Sequence, residues 1–92
     1  MIKESDLKDI LKNFSNIPIR ISFNGALIGN VEFKESKCYF SKRDNKLRIK
    51  EKKSNNIINI DTKPLYKIEL SKEYNILYLY LDYNLIISIE KI

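Results

Sequence analysis

Few side chains in this 92-residue chain could carry out catalytic chemistry. The sequence contains no histidine and a single cysteine, Cys38. Histidine is the commonest general base and the commonest zinc ligand, so the usual acid–base sites and structural zinc sites are excluded. Gly25 and Gly29 are the only glycines, too few for a phosphate-binding loop. We therefore expect neither a metal nor a cofactor.

The remaining acid–base candidates are carboxylates and lysines. The carboxylates beyond residue 60 are scattered over predicted turns and strand surfaces, and no two can be placed at the separation that glycoside hydrolysis requires. Cys38 has no histidine to activate it, and a small buried thiol is the simpler interpretation. We expect that the protein is not an enzyme.

The positive charge of the chain is concentrated in one segment. The net charge is +5, yet the stretch 34–53 holds nine basic and three acidic residues, so that the rest of the chain sums to −1. Clustered lysine and arginine are typical of surfaces that contact polyanions.

The N-terminal segment is predicted to be an amphipathic helix over residues 5–14. Leu7, Ile10, Leu11 and Phe14 recur at the spacing of one helix face. Ser5 is a suitable N-cap, and the pattern stops at residue 16.

Beyond residue 17 the apolar period changes to two, with many β-branched and aromatic residues, which predicts strands. The predicted strands are 17–23, 26–33, 37–43, 46–52, 57–61, 65–70, 76–81 and 85–91. The expected fold is mainly β (α+β): one domain over 1–92, with a helix in 1–16 and a β-meander in 17–92. The helix would pack on a curled antiparallel sheet or a small open barrel of about six to eight strands.

Turn lengths determine which side chains share a sheet face, because side chains alternate along a strand. We predict a two-residue turn at Asn24 and Gly25, followed by a bulge at Gly29 and Asn30. A second two-residue turn is predicted at residues 44 and 45, where it would pair Phe40 with Ile49. The last hairpin requires a three-residue turn at residues 82–84, because only this length sets leucines against isoleucines on one face.

The second hairpin, residues 37–52, yields the first candidate binding surface. In the predicted register one face carries an aromatic ring among cations, which suits a polyanion. Its residues are Tyr39, Arg43, Lys46, Arg48 and Lys50. The alternative is a solvated edge whose charge blocks unwanted strand pairing.

The last hairpin yields the second candidate surface, a sheet face too apolar to be left fully in water. Its residues are Tyr78, Tyr80 and Ile86, with Tyr66, Tyr74 or Tyr83 as extensions. Tyrosine is enriched at the centres of protein interfaces. Either the N-terminal helix covers this face as core, or a second copy of the chain or another protein does.

The leading functional hypothesis is a non-enzymatic module that docks on a protein partner, through the tyrosine-bearing face, the basic hairpin, or both. An acidic protein surface suits the hairpin, and a homodimer suits the tyrosines. Small inhibitors and adaptors encoded by phages or other mobile elements have this size. The alternative is a nucleic-acid-binding module that uses the hairpin 37–52. With no signal peptide and no apolar run of about 20 residues, we expect a cytoplasmic protein without membrane contact.

Overall fold

A computed structural model describes residues 2–92. Over this range the chain forms one short helix and eight strands, all paired in antiparallel fashion. A 3-10 turn, Glu4–Asp6, leads into helix α1, Leu7–Lys12. The strands are β1 Ile19–Gly25, β2 Gly29–Phe33, β3 Ser36–Ser41, β4 Lys46–Glu51, β5 Ile57–Asp61, β6 Leu65–Leu70, β7 Ile76–Leu81 and β8 Leu85–Lys91.

The strands form two open sheets rather than one curled sheet or a closed barrel. The larger sheet has the order β2-β1-β8-β7-β6, and the smaller has the order β3-β4-β5. The last strand returns to pair with the first, as it would in a closing meander. The meander is nevertheless interrupted twice among the described residues, because β2 does not pair with β3 and β5 does not pair with β6.

Both sheets and the helix contribute to one hydrophobic core. Burial alternates strictly along β7, where Leu77, Leu79 and Leu81 point inward. The helix contributes Leu7 and Leu11 to the same cluster. Each fully buried leucine of this kind stabilises the fold by about 1.5–3 kcal/mol.

The helix packs against β3, at the edge of the smaller sheet. The residues that follow the helix bind the free edge of this strand: the Asn16 N–H donates to the Ser36 carbonyl oxygen at 2.7 Å, and the Cys38 N–H donates to Ser15 Oγ at 3.0 Å. Helix α1 ends at Lys12 with Asn13 as its C-cap, two residues before the predicted end at residue 14. Asn16, with a φ of 67°, lies beyond the helix. The edge of β3 is thereby protected against pairing with another chain.

The predicted N-cap is wrong. Ser5 lies inside the 3-10 turn, and the cap is Lys3, whose backbone N–H donates to Asp6 Oδ2 at 2.8 Å. The first helical turn therefore begins two residues earlier than a serine cap would allow. The Asp6 carboxylate accepts from the Lys3 N–H, which would otherwise lack a partner.

The predicted last hairpin is confirmed. Leu81 pairs with Leu85 across a three-residue turn, and the leucines of β7 face the isoleucines of β8. Asn84 occupies the left-handed position of that turn with a φ of 55°. Asparagine adopts this conformation more readily than most residues do.

The predicted first turn is wrong. Strand β1 runs through Asn24 and Gly25, which pair with β8, and the β1–β2 loop lies beyond them at residues 26–28. Pairing with β8 extends β1 further than pairing with β2 alone would require. Ile21 then stands directly opposite Val31, and no bulge is needed to bring the apolar residues of β2 to the core.

The second hairpin has the predicted faces but a different register. Phe40 pairs with Leu47 instead of Ile49, because the loop has four residues, 42–45, rather than two. A hydrogen bond of 3.2 Å from Ser41 Oγ to Asp44 Oδ2 lies within this loop. The shift is two residues, so the side chains that lie on β3 and β4 keep their predicted faces.

Candidate functional site

The outer face of the three-stranded sheet carries most of the predicted basic residues. Arg48 lies on the central strand, opposite Tyr39 on β3 and opposite Asn59 on β5. Because side chains alternate, this face also carries the residues two positions away on each strand. We call this surface the basic face, after its members Lys37, Tyr39, Lys46, Arg48 and Lys50. Asp61, opposite Lys46 on β5, is the acidic residue of the same face.

One predicted residue lies off the basic face and one member was missed. Arg43 is exposed in the β3–β4 loop, at the end of the sheet rather than on a strand. Lys37 pairs with Lys50 and shares the face with Tyr39. Extending the two-residue alternation back from Tyr39 would have identified Lys37.

The cations of the basic face have no carboxylate partner within 4 Å in residues 2–92. On the larger sheet two of the three strand cations are paired. Arg20 lies 3.1 Å from Glu32 and 3.5 Å from Glu90, and Lys67 lies 3.6 Å from Glu69. The third, Lys91, lies 5.2 Å from the centroid of the Phe14 ring. Most of the positive charge on the larger sheet is therefore neutralised within the chain, whereas the positive charge of the basic face is left available.

Tyr39 is the aromatic residue of the basic face, and 45% of its surface is exposed. Lys37 Nζ lies 5.3 Å from the centroid of its ring, a cation–π distance. A hollow of about 280 Å³ beside the ring is lined by Tyr39 and three lysines, Lys37, Lys50 and Lys52. An accessible ring within a cluster of cations can accept a stacked base while the cations contact phosphates.

The tyrosine-bearing face lies on the outer side of the larger sheet. Tyr78, Tyr80 and Ile86 are half-buried and point away from the core that holds Leu77 and Leu79. The helix contributes its apolar side chains to that core and packs on β3. The expectation that the helix covers this face is therefore wrong.

On the tyrosine-bearing face, Tyr80 contacts two charged residues of β6. The Tyr80 hydroxyl donates to the Glu69 carboxylate, and Lys67 Nζ lies 5.1 Å from the centroid of the Tyr80 ring. The bond from Tyr80 holds the pKa of Glu69 below its usual value, and the Glu69 carboxylate raises the pKa of Tyr80 to about 12. Both shifts arise mainly from this one hydrogen bond on the protein surface.

Of the three tyrosines predicted as extensions, only Tyr66 joins this face. A bulge in β6 places its ring 6.3 Å from that of Tyr80. Tyr74 and Tyr83 lie in the turns at either end of β7, and both are exposed.

Cys38 is half-buried behind the basic face, and burial raises its pKa to about 11. A thiol of this kind is a poor nucleophile near neutral pH. In the described part of the chain, no group of three or more metal-ligating side chains is found. No helix between residues 2 and 92 is long and apolar enough to cross a membrane.

No protein family, curated protein or solved structure matches this chain. The basic face and the tyrosine-bearing face are thus the two surfaces from which a function can be inferred.

Proposed function

We propose that this protein is a non-enzymatic binding module whose basic face binds nucleic acid. The observation that supports this proposal is the contrast in charge pairing between the two sheets. Arg20 and Lys67 on the larger sheet have carboxylates within 4 Å, whereas the cations of the basic face have none among the described residues. Cations that neutralise phosphates release the counterions condensed on the nucleic acid, and this release drives binding.

The side chains around Arg48 favour nucleic acid over an acidic protein surface. Arg48 is flanked by an exposed tyrosine and an asparagine, which can stack on a base and donate to its edge. Lysines occupy the flanking positions, where contacts carry no sequence information. Few arginines are present to read base edges, so binding should depend weakly on sequence.

The proposal is tested by fluorescence anisotropy with a labelled single-stranded oligonucleotide over a range of salt concentrations. The affinity should fall steeply between about 0.05 and 0.2 M salt. Arg48→Glu and Lys50→Glu should each weaken binding severalfold. Lys72→Glu, an equal change of charge in the exposed β6–β7 turn, should weaken it much less.

Lys50 is exposed, whereas Arg48 is half-buried, so Lys50→Glu keeps the test valid if the arginine variant unfolds. The absence of any anisotropy change with oligonucleotide at low salt would rule out the proposal. Equal losses of affinity in Arg48→Glu, Lys50→Glu and Lys72→Glu would show that only the net charge matters. That result would rule out the basic face as the binding site.

A second candidate function is docking on a protein through the tyrosine-bearing face. It is supported by the position of the helix, which packs on β3 and leaves Tyr66, Tyr78 and Tyr80 without a covering element. A pull-down from the native host, run with and without nuclease, distinguishes the two functions. Protein docking would be favoured if the protein retains partners after nuclease treatment, and if these partners are lost in a Tyr66→Ala variant but kept in Lys50→Glu.

A further inference from the structure

Tyr39 contributes to two lysine-lined hollows. One is the hollow of about 280 Å³ on the basic face. The other, of about 170 Å³, lies between helix α1 and β3. It is lined by Lys8, Lys12, Cys38, Tyr39 and Phe40.

The lysines of the second hollow come from helix α1, outside the segment where the sequence concentrates positive charge. Lys8 and Lys12 are four residues apart and exposed, while the adjacent Leu7 and Leu11 are buried. Residues at this spacing lie on one helix face. Because α1 packs on β3, that face adjoins the strand that carries Tyr39.

The charge of these helical lysines is available to a ligand. Lys8 has no ion-pair partner among the residues that the structure describes. Lys12 lies 3.5 Å from Asp9, but both side chains are more than 70% exposed, so the pair is weak. Positive charge therefore continues from the sheet, past an exposed aromatic ring, onto the helix.

We propose that this arrangement is a track for single-stranded nucleic acid, in which one base stacks on Tyr39 and the flanking phosphates contact the lysines on either side. The inference rests on the proposed function and specifies its ligand. In a duplex the faces of the bases are stacked on one another and cannot reach a tyrosine ring, whereas in a single strand they can. A ring between two groups of cations matches the alternation of base and phosphate along a single strand.

The test measures the affinity of labelled oligothymidine of about 15 nucleotides, a matching duplex and polyglutamate. Lys8→Gln with Lys12→Gln should weaken single-strand binding by about fivefold per lost contact at 0.1 M salt, and should lower the salt slope by about 0.7 for each lysine. The control is Lys63→Gln with Lys72→Gln, which removes the same charge from exposed turns and should leave the slope unchanged.

Tyr39 provides the second arm of the test. Tyr39→Leu should weaken binding of the single strand by about tenfold and leave duplex binding unaltered, whereas Tyr39→Phe, which keeps the ring, should restore the affinity. Oligothymidine binding that is insensitive to the lysine pair and to Tyr39→Leu would overturn the track and leave the basic face intact. Equal binding of polyglutamate, insensitive to Tyr39→Leu, would favour an acidic protein instead. If wild-type protein binds no oligonucleotide, both proposals fail.

Discussion

At the scale of single residues, Tyr80 and Glu69 form a coupled pair whose titration can be measured. The Glu69 carboxylate raises the Tyr80 pKa from 10.0 to about 12. The neutral phenol is thus favoured in the fold, and its contribution to stability is complete below pH 10 and is lost as the pH rises towards 12. The Glu69 pKa is lowered, so its contribution is present above the ordinary glutamate pKa and is lost as the pH falls.

We predict that Glu69→Gln returns the Tyr80 pKa towards 10, because the charge that favours the protonated phenol is removed. The measurement is a pH titration by ultraviolet absorbance, and a Tyr80→Phe variant identifies which of the six tyrosines is responsible. An unchanged titration curve in Glu69→Gln would contradict the hydrogen bond.

Gly25 is required by a close approach between β1 and the β7–β8 turn. A Cβ at this position would lie 1.9 Å from the carbonyl oxygen of Asn84, which accepts a hydrogen bond from the Ala26 N–H. Its φ of 124° adds a strain of about 1–3 kcal/mol for any other residue.

We predict that Gly25→Ala lowers the free energy of unfolding by more than Gly29→Ala does. Gly29 also has a positive φ, 154°, but a Cβ there would meet open space. The difference between the two variants in urea denaturation therefore isolates the collision with Asn84. Equal losses of unfolding free energy in the two variants would show that the close approach of Gly25 to the Asn84 carbonyl is absent.

The basic face was largely predictable residue by residue, because alternation along a strand needs no tertiary information. Tyr39, Arg48 and Lys50 share a face whenever the β3–β4 loop differs from the predicted two residues by an even number. The roles of Lys8 and Lys12 could not be predicted. Their spacing places them on the outer side of the helix, but their proximity to Tyr39 depends on which sheet edge the helix contacts.

At the scale of elements, the helix should be held mainly by its buried leucines, since six α-helical residues are too few for a helix that is stable alone. Leu11→Ala is predicted to cost about 2–5 kcal/mol of unfolding free energy. Leu27→Ala is the matched control, because Leu27 is 55% exposed in the β1–β2 loop; it should change stability by no more than about 0.5 kcal/mol. If chemical denaturation showed that Leu11→Ala and Leu27→Ala lose similar amounts of unfolding free energy, the assignment of the helix to the core would be contradicted.

The turns show where sequence patterns suffice and where they fail. The β7–β8 turn was predictable because only one loop length aligns two rows of large apolar residues, and Asn84 suits the conformation that it requires. The β1–β2 turn was not, because Asn24 and Gly25 favour a local hairpin and nothing in their own sequence indicates that β8 will pair with them. A long-range partner outweighed a local turn preference.

At the scale of the whole molecule, the division into two sheets was not predictable from strand patterns. Each strand alternates in the same way whether or not consecutive strands pair. Pairing is interrupted between β2 and β3 and between β5 and β6, although the alternation of the strands on either side does not change. This division separates the two candidate surfaces, since the cations of the basic face lie on the small sheet and the tyrosines lie on the large one.

The most direct test of the account is to map the surface that contacts a single-stranded oligonucleotide, using the amide chemical shifts of isotope-labelled protein during a titration. We predict salt-sensitive shifts confined to the three strands of the small sheet, β3, β4 and β5, and to the turn of α1 that carries Lys8 and Lys12. Shifts centred instead on Tyr78 and Tyr80, or the absence of shifts at low salt, would contradict the claim that the unpaired charge of the small sheet is the binding site.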